Sequence, residues 1–187
     1  MAKLPLVFLG NAALRRVSKR VADPRSAGVK ALLANLEAQV RKEDGVGIAA
    51  PQLGQNQRIF LMLKDVPTSE DDLPGDGEEN KFAYQECINP EILQASEETA
   101  KDFEGCLSIP GYVGVVRRAL KIDVQFTDAL GATHRKTLTD FPARIFQHEL
   151  DHLDGVLYID RMEKDTLIHD DEFRKLERSD YIKLLRD

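Results

Sequence analysis

The residues His148, Glu149 and His152 carry the pattern His-Glu-x-x-His, which constrains this chain more than any other feature. On a helix, residues four apart lie on one face, one turn apart, so the two imidazoles can reach a single metal ion. Glu149 lies beside them and can reach a water on that ion without binding the ion itself. Because a bound metal lowers the pKa of water from about 15.7 to about 7, the pattern predicts a metal-dependent hydrolase in which Glu149 moves protons.

Helix-end signals and apolar periodicity predict three helices. Pro142 suits the first turn of the helix that carries the motif, and Gly155 suits its end. The segment 24–43 has apolar residues at helical spacing and is predicted to start near Pro24. A last helix is predicted over 170–186.

Between these helices the pattern is mostly that of strands. Residues 58–63 and most of 82–139 alternate or run apolar, as strands do. Residues 64–81 are acidic and rich in Pro, Gly and Asp, which predicts an exposed loop. These features indicate an α+β fold with one domain over 1–187. In it, antiparallel or mixed β-sheets pack around a central metal-binding helix, with one helix N-terminal and one C-terminal to that core.

Composition argues against several classes of protein. The chain holds 26 basic and 32 acidic residues, a net charge of −6, whereas binding of nucleic-acid phosphates needs a basic surface. No apolar run is long enough to span a membrane. The two cysteines, Cys87 and Cys106, do not predict a disulfide framework and fit a reducing compartment. We therefore expect a cytoplasmic protein without direct nucleic-acid recognition or membrane attachment.

A catalytic metal site of this kind needs a third protein ligand, and the residues alone leave two candidates. Tyr158 stands where the metzincin pattern requires another histidine, so that pattern fails. Glu172 follows the second histidine by 20 residues (172 − 152), a spacing that resembles thermolysin-like peptidases. Cys106 follows Gly105, which permits close backbone approach, and precedes a Pro-Gly turn. Its thiolate would be a soft ligand beside two imidazoles.

The segment 45–52 reads Gly-Val-Gly-Ile-Ala-Ala-Pro-Gln and allows two interpretations. It matches the weak form of the dinucleotide-binding fingerprint, but a helix rather than a strand precedes it, and Pro51 disfavours helix at Ala50. The alternative is a loop that runs along a substrate, where the glycines let the main chain approach closely. The amide of Gln52 then donates to an oxyanion or braces the loop, and the sequence does not favour either role.

These three segments together resemble the peptide deformylase family. The family pattern consists of a G-x-G-x-A-A-x-Q loop, an E-G-C-x-S strand and a Q-H-E-x-D-H helix. Here they occupy 45–52, 104–108 and 147–152, in that order. The resemblance implies an enzyme that removes the formyl group from the N-terminal formyl-methionine of newly made polypeptides and releases formate.

The resemblance also implies roles for particular residues. It assigns metal binding to Cys106, His148 and His152, proton transfer to Glu149, and the oxyanion to Gln52 and the backbone N–H of Leu107. The substrate-binding residues that it implies are Val46, Gly47, Gly105 and Ile145. The implied cofactor is one Fe²⁺ per chain, for which Zn²⁺, Ni²⁺ or Co²⁺ can substitute. The implied partners are N-formyl-methionyl nascent peptides, and the basic residues of the last helix suggest a transient ribosome contact.

Two other hypotheses stay open on the sequence alone. The first is a thermolysin-like endopeptidase in which Glu172 is the third ligand. The second is a non-enzymatic metal-binding module, which predicts a closed shell of four protein ligands and no role for Glu149. Glu149 and the Gln52 loop argue against the second hypothesis, because a purely structural site needs neither.

Overall fold

The computed structural model describes residues 4–66 and 82–186 and shows an α+β fold, which confirms the predicted class. The helices are α1 (Ala27–Lys42), α2 (Asp140–Leu153), α3 (Tyr158–Arg161), α4 (Asp170–Phe173) and α5 (Arg178–Leu185). The strands are β1 (Gly47–Ala49), β2 (Ile59–Leu63), β3 (Tyr84–Ala95), β4 (Thr99–Cys106), β5 (Ile109–Ala119), β6 (Lys121–Thr127), β7 (Thr133–Thr139) and β8 (Ile168–His169). Two 3-10 turns, Ala12–Arg15 and Ala50–Leu53, complete the described elements.

Two antiparallel sheets enclose helix α2, which carries the His-Glu-x-x-His motif. The larger sheet has the strand order β1-β2-β3-β6-β7, and the smaller has the order β4-β5-β8. Strand β2 is buried on both faces: Phe60 and Met62 pack in the cluster with α2, and Ile59 and Leu61 pack in the cluster with α1. The rings of Phe60 and Phe146 meet edge to face at 5.1 Å, an arrangement that contributes about 1 kcal/mol beyond burial. The motif-bearing helix is therefore held in the core.

Gly155 ends helix α2, as the sequence predicted. It adopts a left-handed φ of 74°, and the N–H of Val156 closes the last turn on the carbonyl of Asp151 at 2.9 Å. A Cβ at Gly155 would lie 2.7 Å from the backbone oxygen of Arg15. This position accordingly requires glycine both for its backbone conformation and for its close contact.

The predicted start of the first helix near Pro24 is wrong by about one turn. Asp23 forms a turn of its own, in which its carboxylate accepts the N–H of Arg25 at 2.9 Å. Helix α1 begins at Ala27, and Ser26 caps it by accepting the N–H of Val29. Pro24 therefore lies in the turn before the helix, where the Asp23 carboxylate accepts the backbone N–H that follows the proline.

The continuous helix predicted over 170–186 is also wrong, because the chain breaks at 174–177 into α4 and α5. The break lets Phe173 and Tyr181 both contact Phe103, at centroid distances of 4.7 and 5.0 Å. On one straight helix, residues eight apart would be separated by about 12 Å along the axis and could not share one ring. Tertiary packing against Phe103 thus overrides the helical propensity of this segment.

Three other predictions concern the acidic loop, the cysteines and membrane-spanning segments. Most of the acidic loop predicted over 64–81 lies outside the described residues. Both cysteines are free thiols. Within 4–66 and 82–186, none of the helices combines the length and apolar character needed to cross a bilayer.

Candidate metal centre and active site

The structure brings Cys106, His148 and His152 together at the end of β4 and on one face of α2. One ligand atom from each lies within 4.8 Å of the others, and among the described residues they form the group that could hold a metal ion. The sulfur of Cys106 is 3.3 Å from Nε2 of His152. Helical spacing supplies the two histidines, and pairing of β4 with β5 sets the cysteine opposite them.

A buried carboxylate orients one of these histidines. Glu104 Oε2 is 2.9 Å from Nδ1 of His148. Hydrogen bonds and charges from Arg118 and His148 outweigh the effect of burial and hold the pKa of Glu104 well below its usual range. An ionised carboxylate only accepts, so Nδ1 of His148 donates and Nε2 is left to face Cys106 and His152.

Glu104 belongs to a buried ionic network beneath the metal ligands. Arg118 donates to both oxygens of Glu104 at 2.9 Å and to Asp151 at 2.6 Å. Arg144 donates to Glu104 at 2.8 Å and to the carbonyls of Val116 and Ala100. On the outer side, Arg161 binds both oxygens of Asp151. The network fixes the position of Glu104 and, through it, the ring of His148.

Arg118→Met is expected to lower the free energy of unfolding by about 3 kcal/mol, because it removes the central cation of this buried network. Arg161→Met is the matched control. It contacts the same Asp151, but its side chain is 47% exposed, so its loss should cost about 1 kcal/mol or less. Urea unfolding of the two variants at equal metal loading measures both values. Equal losses would show that burial does not decide the contribution.

The two cysteines have opposite electrostatic surroundings. Burial raises the pKa of the Cys87 thiol well above its usual value. Burial also acts to raise that of Cys106, but His152 and His148 outweigh it and lower its pKa to about 5. Burial acts to lower the pKa of His148, but Cys106 and Glu104 outweigh it and raise that pKa. At neutral pH Cys106 is therefore a thiolate prepared to bind a cation.

The group fits a divalent metal. A metal with bonds of about 2.3 Å to sulfur and about 2.1 Å to nitrogen, at tetrahedral angles, places these ligand atoms about 3.6 Å apart. The observed 3.3 Å between Cys106 and His152 is close to that spacing. One thiolate and two imidazoles also leave a fourth position for water, as in catalytic rather than structural sites. This donor set agrees with a metal-dependent enzyme.

Glu149 lines the same cavity as Cys106 and His148. Its side chain is buried, and Oε2 has no hydrogen-bond partner among the described residues. Burial raises the pKa of Glu149 to about 7, against the lowering effect of His148 and His152. A carboxyl group with a pKa near neutrality can both accept and return a proton at neutral pH.

Gly47 allows the Glu149 carboxylate to lie where it does. A Cβ at this glycine would come within 2.9 Å of Glu149 Cδ and closer still to Oε1. Gly47→Ala is therefore expected to displace the carboxylate and lower kcat about 100-fold, the size of a general acid–base contribution, with little loss of stability. The loss of stability is expected to be small because the nearest atoms belong to the Glu149 side chain and not to backbone.

Gly28→Ala is the matched control for this prediction. A Cβ at Gly28 meets nothing within 4 Å, so its kcat should equal that of the wild type. Steady-state assays with thermal unfolding on both variants give the comparison. A Gly47→Ala enzyme with normal kcat would contradict the proposed proton-transfer position of Glu149.

The side-chain amide of Gln52 makes one contact within its own loop and one with Cys106. Its Oε1 accepts the N–H of Ala49 at 2.8 Å and braces the loop. Because this bond fixes the amide, Nε2 points to the metal group and lies 3.5 Å from the sulfur of Cys106. Leu107 directly follows Cys106 in the turn between β4 and β5, which places its backbone beside the same sulfur.

A cavity of about 500 Å³ opens onto these groups, a size typical of ligand sites. All four residues expected to bind substrate line it: Val46, Gly47, Gly105 and Ile145. Ile145 is also part of the core, so it serves both as wall and as packing. Lining residues that the sequence did not single out include Phe103, Tyr112, Phe141 and Asp170. Of these, Tyr112 comes from β5 and Asp170 from α4. No local sequence signal indicates that these two segments approach α2.

Glu172 does not join the metal group. Its side chain is 65% exposed and pairs with Lys175 at 2.7 Å on the surface of α4. Among the described residues, the group that could hold a metal consists of the cysteine and the two histidines. The geometry therefore favours Cys106 as the third ligand.

Glu104 is the functional residue that sequence reasoning left without a role. A signal was present, because Glu104 and Cys106 are two apart on one strand and so face the same side. Recognising it requires knowing that this side faces α2, which depends on the tertiary fold.

A Cys-His-His metal group with a buried carboxylate beside it, at the end of a cavity in an α+β fold, defines a metal-dependent hydrolase. The sequence model of the family described as polypeptide deformylase matches residues 3–167. "Peptide deformylase 2" of Nostoc sp. is 41% identical over 174 residues, which cover 92% of this chain and 94% of that protein. The chain belongs to the peptide deformylase family.

Solved structures support the same assignment. Peptide deformylase from Thermotoga maritima matches with a TM-score of 0.75 at 34% identity, covering 87% of this chain and 99% of that one. A class I type b peptide deformylase from Acinetobacter baumannii, with Met-Ala-Ser bound, matches with a TM-score of 0.74 at 32% identity, covering 86% and 99%. The family resemblance drawn from the three motifs is thus confirmed.

Proposed function

We propose that this enzyme hydrolyses the formyl group from the N-terminal formyl-methionine of newly made polypeptides and releases formate. The observation that carries the proposal is the buried Glu149 residue, unpartnered at Oε2, which lines the cavity together with Cys106 and His148. His152 completes the group that could hold a metal. The relative from Acinetobacter baumannii binds Met-Ala-Ser, the peptide that remains when formyl-Met-Ala-Ser loses its formyl group.

Glu149 is proposed to act first as base and then as acid. It takes a proton from the attacking water as the water oxygen bonds to the formyl carbon. It returns that proton to the methionine nitrogen as the C–N bond breaks, which yields formate and a free amine. A pKa near 7 suits both directions of transfer.

A metal held by Cys106, His148 and His152 would supply a Lewis acid able to polarise the carbonyl and to acidify water. We propose Fe²⁺, one per chain, with Zn²⁺, Ni²⁺ or Co²⁺ able to substitute; this identity rests on the family resemblance. Glu104 keeps the His148 ring in the orientation that such a metal needs.

The oxyanion that forms at the formyl oxygen is proposed to accept hydrogen bonds from Gln52 Nε2 and the backbone N–H of Leu107. Gln52 supports this role because its oxygen is held by Ala49, which leaves its nitrogen fixed toward the site. A fixed donor of this kind contributes about 3 kcal/mol to the transition state.

The methionine side chain is proposed to lie against Val46 and Ile145, whose apolar atoms line the cavity. Gly47 and Gly105 keep side chains out of the space beside the reacting carbon. Arg144 also lines the cavity, but its donors are bound to Glu104 and to two carbonyls, so it contributes packing there.

We further propose that residues 1–187 form one catalytic domain that works in the cytoplasm on nascent peptides, with transient ribosome contact. No direct nucleic-acid recognition or membrane attachment is part of this proposal. The net charge of −6 supports the first of these exclusions.

The test uses anaerobically prepared, Fe²⁺-loaded protein and formyl-Met-Ala-Ser. We expect equal amounts of formate and Met-Ala-Ser and no cleavage of internal peptide bonds. Internal cleavage without formate, from a folded and metal-replete protein, would contradict the proposal and favour an endopeptidase. Loss of ribosome co-sedimentation on deletion of α5 tests the ribosome contact separately, and unchanged co-sedimentation would contradict it.

A further inference from the structure

The chain beyond residue 167 lies outside the part matched by the family sequence model, yet it contacts the substrate cavity. Strand β8 pairs with β5 at Tyr112 and Val113, both of which line the cavity. Asp170, the first residue of α4, lines the cavity as well. The C-terminal segment therefore begins at the wall of the substrate site.

Its aromatic residues pack on a second part of that wall. Phe103 lies in β4 and lines the cavity. Phe173 and Tyr181 contact its ring at 4.7 and 5.0 Å, and they lie 6.2 Å from each other. All three distances fall in the range in which aromatic pairs attract. The three rings form one cluster, which we call the Phe103 cluster.

Polar contacts fasten the same segment to the same stretch of β4. The hydroxyl of Tyr181 donates to Oδ1 of Asp102 at 3.0 Å, and this oxygen also accepts the N–H of Phe103 at 2.8 Å. Lys101 donates to the carbonyl of Arg186 at 3.1 Å. Three consecutive residues of β4, directly before the network carboxylate Glu104, are thus held by the C-terminal segment.

We propose that the C-terminal segment is a positioning element for peptide binding, in which Phe173 and Tyr181 hold Phe103 in place in the cavity wall. This inference rests on the proposed function, because the bound molecule is the formyl-methionyl peptide. The segment acts on affinity for that peptide and leaves the chemical step unchanged.

The chemistry is insulated from the segment by the buried network. Glu104 is held by Arg118 and Arg144, neither of which comes from the C-terminal segment. The metal ligands therefore keep their positions when the Phe103 cluster is disrupted. The residues of β4 that lose contacts are the wall residue Phe103 and its neighbours Asp102 and Lys101.

The C-terminal segment is attached to β4 by few buried contacts, so it can open and thereby change peptide binding. Helix α5 has no fully buried residue, so its docking depends on half-buried contacts at its edge. Segments with few buried contacts open at low free-energy cost. When the segment opens, the peptide must order Phe103 as it binds, and this ordering reduces its affinity.

The test compares Tyr181→Ala, Tyr181→Phe and the exposed Ile182→Ala on the same helix, all in the full-length, metal-loaded enzyme. KM and kcat are measured with formyl-Met-Ala-Ser, and the Kd of the product Met-Ala-Ser is measured by calorimetry. Metal content is determined on each sample. Tyr181→Phe keeps the ring of the Phe103 cluster and serves as the conservative rescue.

For Tyr181→Ala we expect KM and product Kd to rise together by about fivefold to tenfold, with kcat within about twofold of the wild type. Tyr181→Phe and Ile182→Ala should stay within about twofold of the wild type in all three constants. Unchanged KM and Kd in Tyr181→Ala would overturn the inference, and so would a fall in kcat that follows a loss of metal. An inactive wild type would instead contradict the proposed function, so the two failures are distinguishable.

Discussion

In a metal-loaded Glu149→Gln enzyme, kcat for a formyl-methionyl peptide is expected to fall by about 1000-fold or more, while KM and metal content stay near those of the wild type. Glutamine has the shape of glutamate but cannot take a proton from water or return one to the leaving amine. The size of the effect follows from the buried, unpartnered Oε2 of Glu149, which no other described carboxylate of the site can replace. Glu104 is fully occupied by Arg118, Arg144 and His148.

Glu43→Gln is the matched control for this prediction. Glu43 lines the same cavity, but it is exposed and bonded to Gln39 and Lys42. Its kcat should remain within about twofold of the wild type. A Glu149→Gln enzyme that keeps more than about a tenth of the wild-type kcat would contradict general acid–base catalysis by this residue.

Cys106→Ala is expected to weaken metal binding by at least about 100-fold, since even partners outside the ligand shell change metal affinity by 10–100-fold. The thiolate contributes a formal negative charge, and its pKa of about 5 makes that charge available at neutral pH. Activity should fall with the metal content, because the remaining two imidazoles hold the ion poorly. Metal per chain, measured after dialysis, reports the effect without any substrate.

Two controls make this measurement decisive. Cys87→Ala removes the other cysteine, whose raised pKa keeps it a neutral thiol in the core, and should leave the metal in place. Glu172→Ala removes the ligand of the endopeptidase hypothesis and should also leave the metal in place, because its side chain pairs with Lys175 at the surface. Loss of metal from Glu172→Ala but not from Cys106→Ala would reverse the assignment of the third ligand.

Sequence periodicity could predict the elements whose signals are local. The end of α2 follows from Gly155, whose left-handed conformation is a property of that residue and its neighbours. The break between α4 and α5 could not be predicted in the same way. It depends on the ring of Phe103, which is 70 residues away from Phe173 in the chain (173 − 103).

The candidate site also contains residues that local sequence signals predict and residues that only tertiary contacts identify. Helical spacing alone indicates that His148, Glu149 and His152 act together. The choice between Cys106 and Glu172 required the family motifs or the fold, because strand pairing decides which segment faces the helix. The sequence pattern does not predict the role of Arg144. This charged residue lines the cavity but donates to Glu104, because α2 and β4 pack together.

The most direct test of the central claim is a titration of metal-free protein with Fe²⁺ under anaerobic conditions, with formate release from formyl-Met-Ala-Ser measured at each step. We expect the rate to rise linearly and to stop rising at one Fe²⁺ per chain, because the described residues contain one Cys-His-His group that could hold a metal. A folded protein that binds one equivalent of Fe²⁺ and releases no formate would contradict the claim.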